Sequence, residues 1–349
     1  ASAPPAFRVT ISEDGDTFNF SWPGQTGKVY DLLSSPDLTA VPETWPVHDP
    51  DGPGGHEPYG NIFSAGATNT LVGVPSSGPD HFFLVARQEP PFSLKVMSWN
   101  IWHADSNYTK INEVIQTTGA DIIGFQELSN PSGVVNALET ATGLDWHLHS
   151  QSGGDSQIIS RFPILGGNSR GAEIQLAPGR TIWLFNVHLA PYPYQPYDLR
   201  DGTLARNEAA VVASAESARG GQMDALVDAI HASGALASDV PVFVTGDFNE
   251  PSHLDWTHAA ADATARPYDL KVAYPASTKL ITQGLSDAFR AVRSDEVTDP
   301  GYTWTPGYPP PSLGADEVHD RIDFVYFAGS GVTPTGATHV GLDASHPST

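Results

Sequence analysis

The chain has 349 residues and no cysteine, with 17 Lys and Arg against 40 Asp and Glu and a formal net charge of −23. Without cysteine there is no disulfide scaffold, thiolate metal site, iron–sulfur ligation or cysteine nucleophile. So acidic a chain is a poor polyanion binder by counterion release, and its 40% hydrophobic content excludes wholesale disorder. At about 150 residues per domain, the length predicts two domains. No apolar run reaches the roughly 20 residues that span a membrane. The start, Ala1-Ser2-Ala3-Pro4-Pro5, has neither the charged nor the apolar region of a signal peptide. It reads as the end left by cleavage, so a secreted or periplasmic mature form is expected.

Residues 1–91 read as a small all-β, sandwich-like accessory domain. Residues 7–11 alternate, Gly15-Asp16 is a turn, and residues 17–22 alternate again with Phe18, Phe20 and Trp22 on one face. Residues 28–33 and 81–86 read as further strands, and Pro/Gly-rich loops such as residues 49–55 lie between them. Gly27-Lys28 lacks the spacing of a phosphate loop. Gln88-Glu89-Pro90-Pro91 is the predicted linker. From residue 92 to 349 the pattern becomes mixed α/β. Strands are predicted over 94–101, 121–125, 157–160, 181–189, 240–248 and 321–327. Helices are predicted over 108–118, 134–142 and 205–232, the last broken at Gly220-Gly221.

Several of these strands finish in a residue ill suited to a core. Asn100 ends the first and Glu127 follows the second. Asn186 and His188 lie in the fourth, Asp247 and Asn249 close the fifth, and Asp323 sits in the last. An unpaired buried carboxylate costs several kcal/mol or shifts its pKa, so repeated polar strand ends predict a shared cleft. Asn, Glu, Asp and His are the donor set of Mg²⁺, Mn²⁺ or Ca²⁺ sites.

The segments Ser98-Trp99-Asn100-Ile101, Gly124-Phe125-Gln126-Glu127, Ile159-Ser160-Arg161-Phe162-Pro163-Ile164, Asn186-Val187-His188-Leu189, Gly246-Asp247-Phe248-Asn249 and Arg321-Ile322-Asp323-Phe324 resemble the DNase I-like endonuclease/exonuclease/phosphatase superfamily, in the family's order. The resemblance implies a four-layer α/β sandwich, two packed mixed β-sheets flanked by helices, with the site at the strand ends. It implies that Glu127 binds the metal, assisted by Asn100. Asp247 and Asn249 handle metal, attacking water and scissile phosphate. His188 donates to a phosphate oxygen, and Asp323 orients a general-base histidine. The family closes on Ser-Asp-His and an apolar strand. Here Ser345-His346 precedes the last three residues. Either His346 stands in for that base, or the chain stops before the family's motif and last strand, which is the expectation.

Secondary candidates surround these motifs. His103 is a metal or substrate contact, or a surface or capping histidine. Tyr194, in the Tyr/Pro-rich run after His188, is a pocket wall or part of a rigid loop. Arg219 is a bidentate phosphate ligand or an exposed charge. His253 is a substrate contact, with Asp255 supporting the site from behind, and His319 and Asp320 are loop residues. Gly167-Asn168-Ser169-Arg170-Gly171 matches a serine-hydrolase elbow but lacks the strand-to-helix setting. The expected activity is a divalent-metal-dependent hydrolase of phosphate esters, most of all phosphodiesters, with water attacking phosphorus in line. The cofactor is Mg²⁺, alternatively Mn²⁺ or Ca²⁺. Alternatives are a sugar or inositol phosphomonoesterase, a secreted nuclease, and a binding protein on a vestigial phosphoesterase fold. A monomer without a stable nucleic-acid complex is expected, its substrate a small diester, a lipid, a sugar phosphate or nucleic acid.

Overall fold

A computed structural model describes residues 7–11, 17–24, 28–40, 45–49, 59–60, 62–64, 66–75, 82–88, 93–104, 106–151, 154–177, 180–238, 240–263, 268–304, 317–329 and 331–340. The chain divides into two compact units, Ala1–Ser93 with Ala177–Arg180, and Leu94–Leu176 with Thr181–Thr349.

The first unit contains β1 (Arg8–Ile11), β2 (Thr17–Pro23), β3 (Val29–Ser35), β4 (Ile62–Phe63), β5 (Thr68–Pro75) and β6 (Phe82–Gln88). They form two antiparallel sheets, β1-β2-β5 and β4-β3-β6. Phe20, Trp22 and Val74 of one sheet share a core with Tyr30 and Leu32 of the other. The period-two aromatics of β2 thus face inward, and the sheets pack as a small sandwich. β5 is missing from the predicted strands because its alternation slips. Its inward positions run Asn69, Leu71 and then Val74, a change of parity. Gly73, at φ 76°, lies at the slip, and the β2–β5 register shifts between Phe18 and Phe20.

In the second unit β7 (Val96–Asn100), β8 (Ile122–Gln126), β9 (His147–Ser150) and β10 (Gln157–Ser160) form a sheet in the order β7-β8-β10-β9. β11 (Ile164–Gly167), β12 (Gly171–Ala177), β13 (Arg180–His188), β14 (Val242–Asp247), β15 (Ser286–Asp287) and β16 (Asp323–Ala328) form another, in the order β11-β12-β13-β14-β16-β15. Both are mixed, with β7 parallel to β8 and β13 parallel to β14. Residues 167–171 make the β11–β12 hairpin, so Ser169 is not on a nucleophile elbow.

Helices α1 (Tyr108–Thr118) and α2 (Pro131–Thr142) cover the four-stranded sheet, with Ile111, Ile115, Val134 and Leu138 against Ile123, Phe125 and Ile159. After the short α3 (Gln195–Arg200) comes α4 (Glu208–Ser233). After α5 (His258–Asp262) comes α6 (Pro275–Thr282), followed by α7 (Ala288–Val292). α4 and α6 cover the six-stranded sheet through Met223, Leu226, Ile230 and Leu280. Between the sheets, Ile122 and Ile158 meet Ile174, Ile182 and Leu184. The order helix, sheet, sheet, helix is the four-layer sandwich. β8 is buried on both faces because it lies inside two layers. The first helices begin and end where local chemistry dictates. Asn107 and Asn130 cap the N-termini of α1 and α2, and Gly119 and Gly143 close them in the left-handed conformation.

The predicted break in the long helix is absent, for α4 runs unbroken through Gly220-Gly221. A Cβ on Gly220 would strike the Glu216 carboxylate, whose Oε1 pairs with Lys279 at 2.8 Å. Lys279 Nζ also donates to the Gly220 carbonyl at 3.2 Å. Gly220 leaves room for the Glu216 carboxylate that pairs with Lys279 of α6, and it does not end the helix.

A polar seam crosses the otherwise apolar space between the sheets. Asn186 of β13 is 1% exposed. Its Nδ2 donates to the Phe125 carbonyl at 2.7 Å and the Gln157 carbonyl at 3.1 Å. Its Oδ1 accepts from Gln126 Nε2 at 2.6 Å and Thr245 Oγ1 at 3.1 Å. Gly124 leaves space for this node, since a Cβ there would lie 2.6 Å from Asn186 Oδ1 and collide with Thr245 Oγ1. Behind β16, the fully buried Asp255 accepts from Arg290 Nε at 2.6 Å and from Arg321 Nε and Nη2 at 3.0 Å. Arg321 also pairs with Asp287 at 2.7 Å.

Two stability outcomes are expected, each read by urea unfolding. Gly124→Ala overpacks the seam and lowers stability by about 1–3 kcal/mol. Asp255→Ala removes the carboxylate that two buried guanidinium groups share and costs about 3–5 kcal/mol. Values near zero would show that neither contact is held in solution.

Candidate active site

The topology brings several strand ends to one place. Asn100 is the register partner of Gln126, so Asn100 and Glu127 leave the first sheet at one edge. His188 is the partner of Asp247 in the parallel β13–β14 pair. β16 runs antiparallel, so its first residue, Asp323, also pairs with Asp247. The two edges meet at Asn100, whose Nδ2 donates to Glu127 Oε1 and to Asp247 Oδ2, both at 3.0 Å. His188 Nε2 stands 3.8 Å from Glu127 Oε1 and 3.9 Å from Asp247 Oδ2. His103 Nε2 is 3.2 Å from Glu127 Oε2. Asn249 donates its backbone N–H to Asp247 Oδ1 at 2.8 Å and its Nδ2 to the Leu189 carbonyl at 2.9 Å. Asn100, His103, Glu127, His188, Asp247, Asn249 and Asp323 therefore share one cluster.

Charge is concentrated there. Burial pushes the Asp247 carboxyl up. His188 and the hydrogen bonds from Asn100 and Asn249 oppose that, while the Glu127 charge adds to it. Asp323 is pushed up further, first by burial and then by the Asp247 charge, against a hydrogen bond from Thr303. Carboxylates that crowd one another this way are relieved by a cation between them, and their oxygens suit a hard one. Among the described residues no three His, Asp or Glu side chains form a ready cage. Mg²⁺ needs only one or two carboxylates and keeps its waters, which Glu127 and Asp247 satisfy. Asn100 turns its NH₂ to these carboxylates, while its Oδ1 accepts from Trp102 N at 2.9 Å. In this arrangement its amide spaces the two acids.

The backbone around the cluster is strained. Among the described residues, the non-glycine residues at positive φ are Trp102 (48°), His103 (56°), Glu127 (59°) and Asn249 (47°). All four lie at this site. Each costs on the order of 1–3 kcal/mol and persists only where its surroundings over-determine it. For Trp102 and Asn249, the hydrogen bonds of their N–H groups to Asn100 and Asp247 do so.

Other sequence candidates lie elsewhere or serve differently. Arg219 is 1% exposed and is no phosphate ligand. Its guanidinium donates to the carbonyls of Ala190 (2.9 Å) and Pro193 (2.8 Å) and to Gln195 Oε1 (2.9 Å), and stands 3.6 Å from Glu250. Tyr194 is buried, its hydroxyl donating to Asp320 at 2.9 Å, so it does not wall a pocket. Asp320, read as a loop residue, is a buried acceptor that also takes the Trp256 indole at 2.8 Å. His253 is held by Ser277 Oγ, 2.7 Å from its Nδ1, and burial lowers its pKa. Asn186 belongs to the seam. His346 lies outside the described residues. Asp155 escaped the sequence reading, yet both its carboxylate oxygens are 3.3 Å from His188 Nδ1. It sits in a Gly/Ser-rich run with no periodicity to mark it, and its place just before β10 is the signal that was available.

The family model described as Endonuclease/Exonuclease/phosphatase family matches residues 97–345. A Caenorhabditis elegans protein described as "Uncharacterized protein F14F9.5" is 27% identical over 267 residues, covering 72% of this chain and 83% of that one. Among solved structures, TDP2 from Caenorhabditis elegans is 18% identical with a TM-score of 0.40, covering 68% of this chain and 64% of that one. This chain thus spans just under two thirds of that structure's length. An AP endonuclease from Archaeoglobus fulgidus is 16% identical with a TM-score of 0.40, covering 67% of this chain and 86% of that one. The family match takes in every strand end that feeds the cluster, from Asn100 to Asp323. This chain belongs to the endonuclease/exonuclease/phosphatase family and has its DNase I-like four-layer fold.

Proposed function

We propose that this chain is a divalent-metal-dependent phosphoester hydrolase whose preferred substrates are phosphodiesters, with the chemistry in residues 92–349 and residues 1–91 as an accessory domain. The observation that carries the reading is the Asn100 amide, which holds Glu127 of one sheet and Asp247 of the other in a single cluster. Glu127 and Asp247 would hold Mg²⁺, or Mn²⁺ or Ca²⁺, with Asn100 between them. The cation supplies positive charge against the oxygens of the scissile phosphate as water attacks in line.

The protein's own groups do the rest. His188, held by Asp155 at 3.3 Å from its Nδ1, would turn its Nε2 edge toward a phosphoryl oxygen. Asn249, fixed through Leu189, keeps Asp247 aligned by its backbone N–H. Asp323 would orient a general-base histidine. Family membership supports the reaction class.

The test is hydrolysis of a chromogenic phosphodiester and the matching monoester, with Mg²⁺, Mn²⁺ or Ca²⁺ and with chelator. Faster diester turnover that chelator abolishes is expected. Glu127→Gln should weaken metal affinity about 10–100-fold, and Asp247→Asn should lower kcat by about 10²–10³ or more. Turnover indifferent to chelator, or both variants near the native rate, would rule the site out. A monoester preference would move the assignment to a phosphatase, and DNA degradation at comparable rates to a nuclease.

A further inference from the structure

The segment after β13 leaves the sheet at His188 and then lacks the means to hold itself. Residues 190–193 read Ala-Pro-Tyr-Pro, and a proline has no N–H to give to a ladder. The missing partners come from the side of α4. Arg219 Nε donates to the Ala190 carbonyl at 2.9 Å, Nη2 to the Pro193 carbonyl at 2.8 Å and Nη1 to Gln195 Oε1 at 2.9 Å. Gln222, three residues along the same helix, accepts the Ala190 N–H at 2.9 Å. Leu189 is bound as well, its N–H to the Asp247 carbonyl and its own carbonyl to Asn249 Nδ2, both at 2.9 Å. Every main-chain polar group of the two residues after His188 is therefore taken. Arg219 also meets the segment that follows β14. Glu250, next to Asn249 in the chain, is 1% exposed, and its Oε2 stands 3.6 Å from Arg219 Nη1. Its Oε1 accepts from Ala276 N at 2.8 Å.

We infer that Arg219 and Gln222 are positioning residues that fix where His188 presents its imidazole, with Glu250 joining the same guanidinium to the segment that carries Asn249. This rests on the phosphoesterase reading above. A buried guanidinium is a poor source of stability, because taking it out of water costs about as much as its partners return. What it supplies is direction, since a planar fork satisfies all its acceptors in one orientation only. Among the described residues, the hydrogen bonds of Arg219 and Gln222 to this segment end on main-chain groups and on Gln195, and none ends on the acid cluster. The pair thus acts through the chain that follows His188 and not on the metal or the substrate. A displacement of about 1 Å in a reacting group can cost on the order of 100-fold in rate, so a tether that begins one residue from the imidazole acts on the rate of the chemical step.

The experiment measures kcat and KM on the chromogenic diester, Mg²⁺ affinity by calorimetry, and the midpoint of urea unfolding. Arg219→Lys keeps the charge and loses the fork, and Gln222→Leu loses the acceptor for Ala190. Each should lower kcat about 10- to 100-fold, with KM and Mg²⁺ affinity within about twofold of the native values. Gln222→Glu, which still offers an acceptor oxygen, should keep kcat within about threefold. Ile230→Val, a buried core change on the same helix, should lower the unfolding midpoint and leave kcat unchanged. Should Arg219→Lys fail to fold, the contrast between Gln222→Leu and Gln222→Glu decides alone. Native kcat in Gln222→Leu overturns the inference. So does a loss of Mg²⁺ affinity that parallels the loss of rate, which marks general damage to the site, and so does an equal loss of rate in Ile230→Val, which makes rate a reporter of stability. Absence of diester turnover in the native protein counts against the phosphoesterase reading instead. The ring ¹⁵N signals of His188, assigned by their loss in His188→Gln, then decide: they should move in Arg219→Lys and Gln222→Leu and hold in Ile230→Val, and signals that stay in place overturn the positioning role.

Discussion

Asn186 is a polar side chain lodged between two apolar sheets, and the site depends on how it is satisfied. An amide buried without partners would push the layers apart or draw water in. Here its donors reach carbonyls of β8 and β10, and its oxygen takes Gln126 and Thr245. Apolar packing alone tolerates sliding, because hydrophobic contact has no direction. Directional bonds across the interface fix how far each strand of one sheet projects past the other. That offset sets where Asn100 and Glu127 end relative to His188 and Asp247. The seam is therefore the registration mark of the active-site cluster, although it contributes no atom to it.

Above the seam the structure concentrates what folding alone would avoid. Carboxylates crowd at the ends of β8, β14 and β16, and burial raises those of Asp247 and Asp323. Four residues accept left-handed backbone conformations that side chains disfavour. Such arrangements persist because the layers beneath are well satisfied, as with α1 and α2 on one side and α4 and α6 on the other. Asp255 extends this support by pinning Arg321 two residues before Asp323. A stable sandwich thus carries a locally unfavourable rim, the usual relation between a scaffold and a reactive centre.

Much of this was legible in the residues. α1 has the bounds its pattern predicts, because Asn107 and Gly119 mark its ends and Ile111 and Ile115 its inner face. The acids of the site could be found because they terminate apolar strands, where a core offers them no role. What could not be read depends on tertiary neighbours. Gly220 looks like a helix breaker until Glu216, Lys279 and α6 are seen beside it. Arg219 and Tyr194 carry functional groups, but only burial reveals that carbonyls, Gln195 and Asp320 already occupy them. Asn186 and His188 are two apart on one strand and point to the same face, yet one serves the seam and the other the site. Asp155 acquires meaning from a histidine 33 residues away.

The grip of Arg219 on the loop after β13 has an evolutionary consequence. The guanidinium fork holds that segment by its main-chain carbonyls, which every amino acid possesses. Replacement of Pro191 or Tyr192 side chains would leave those bonds in place. Inherited change can thus alter what the loop displays while its path stays put. A lineage carrying this arrangement could drift among substrates one surface residue at a time, without passing through a collapsed intermediate.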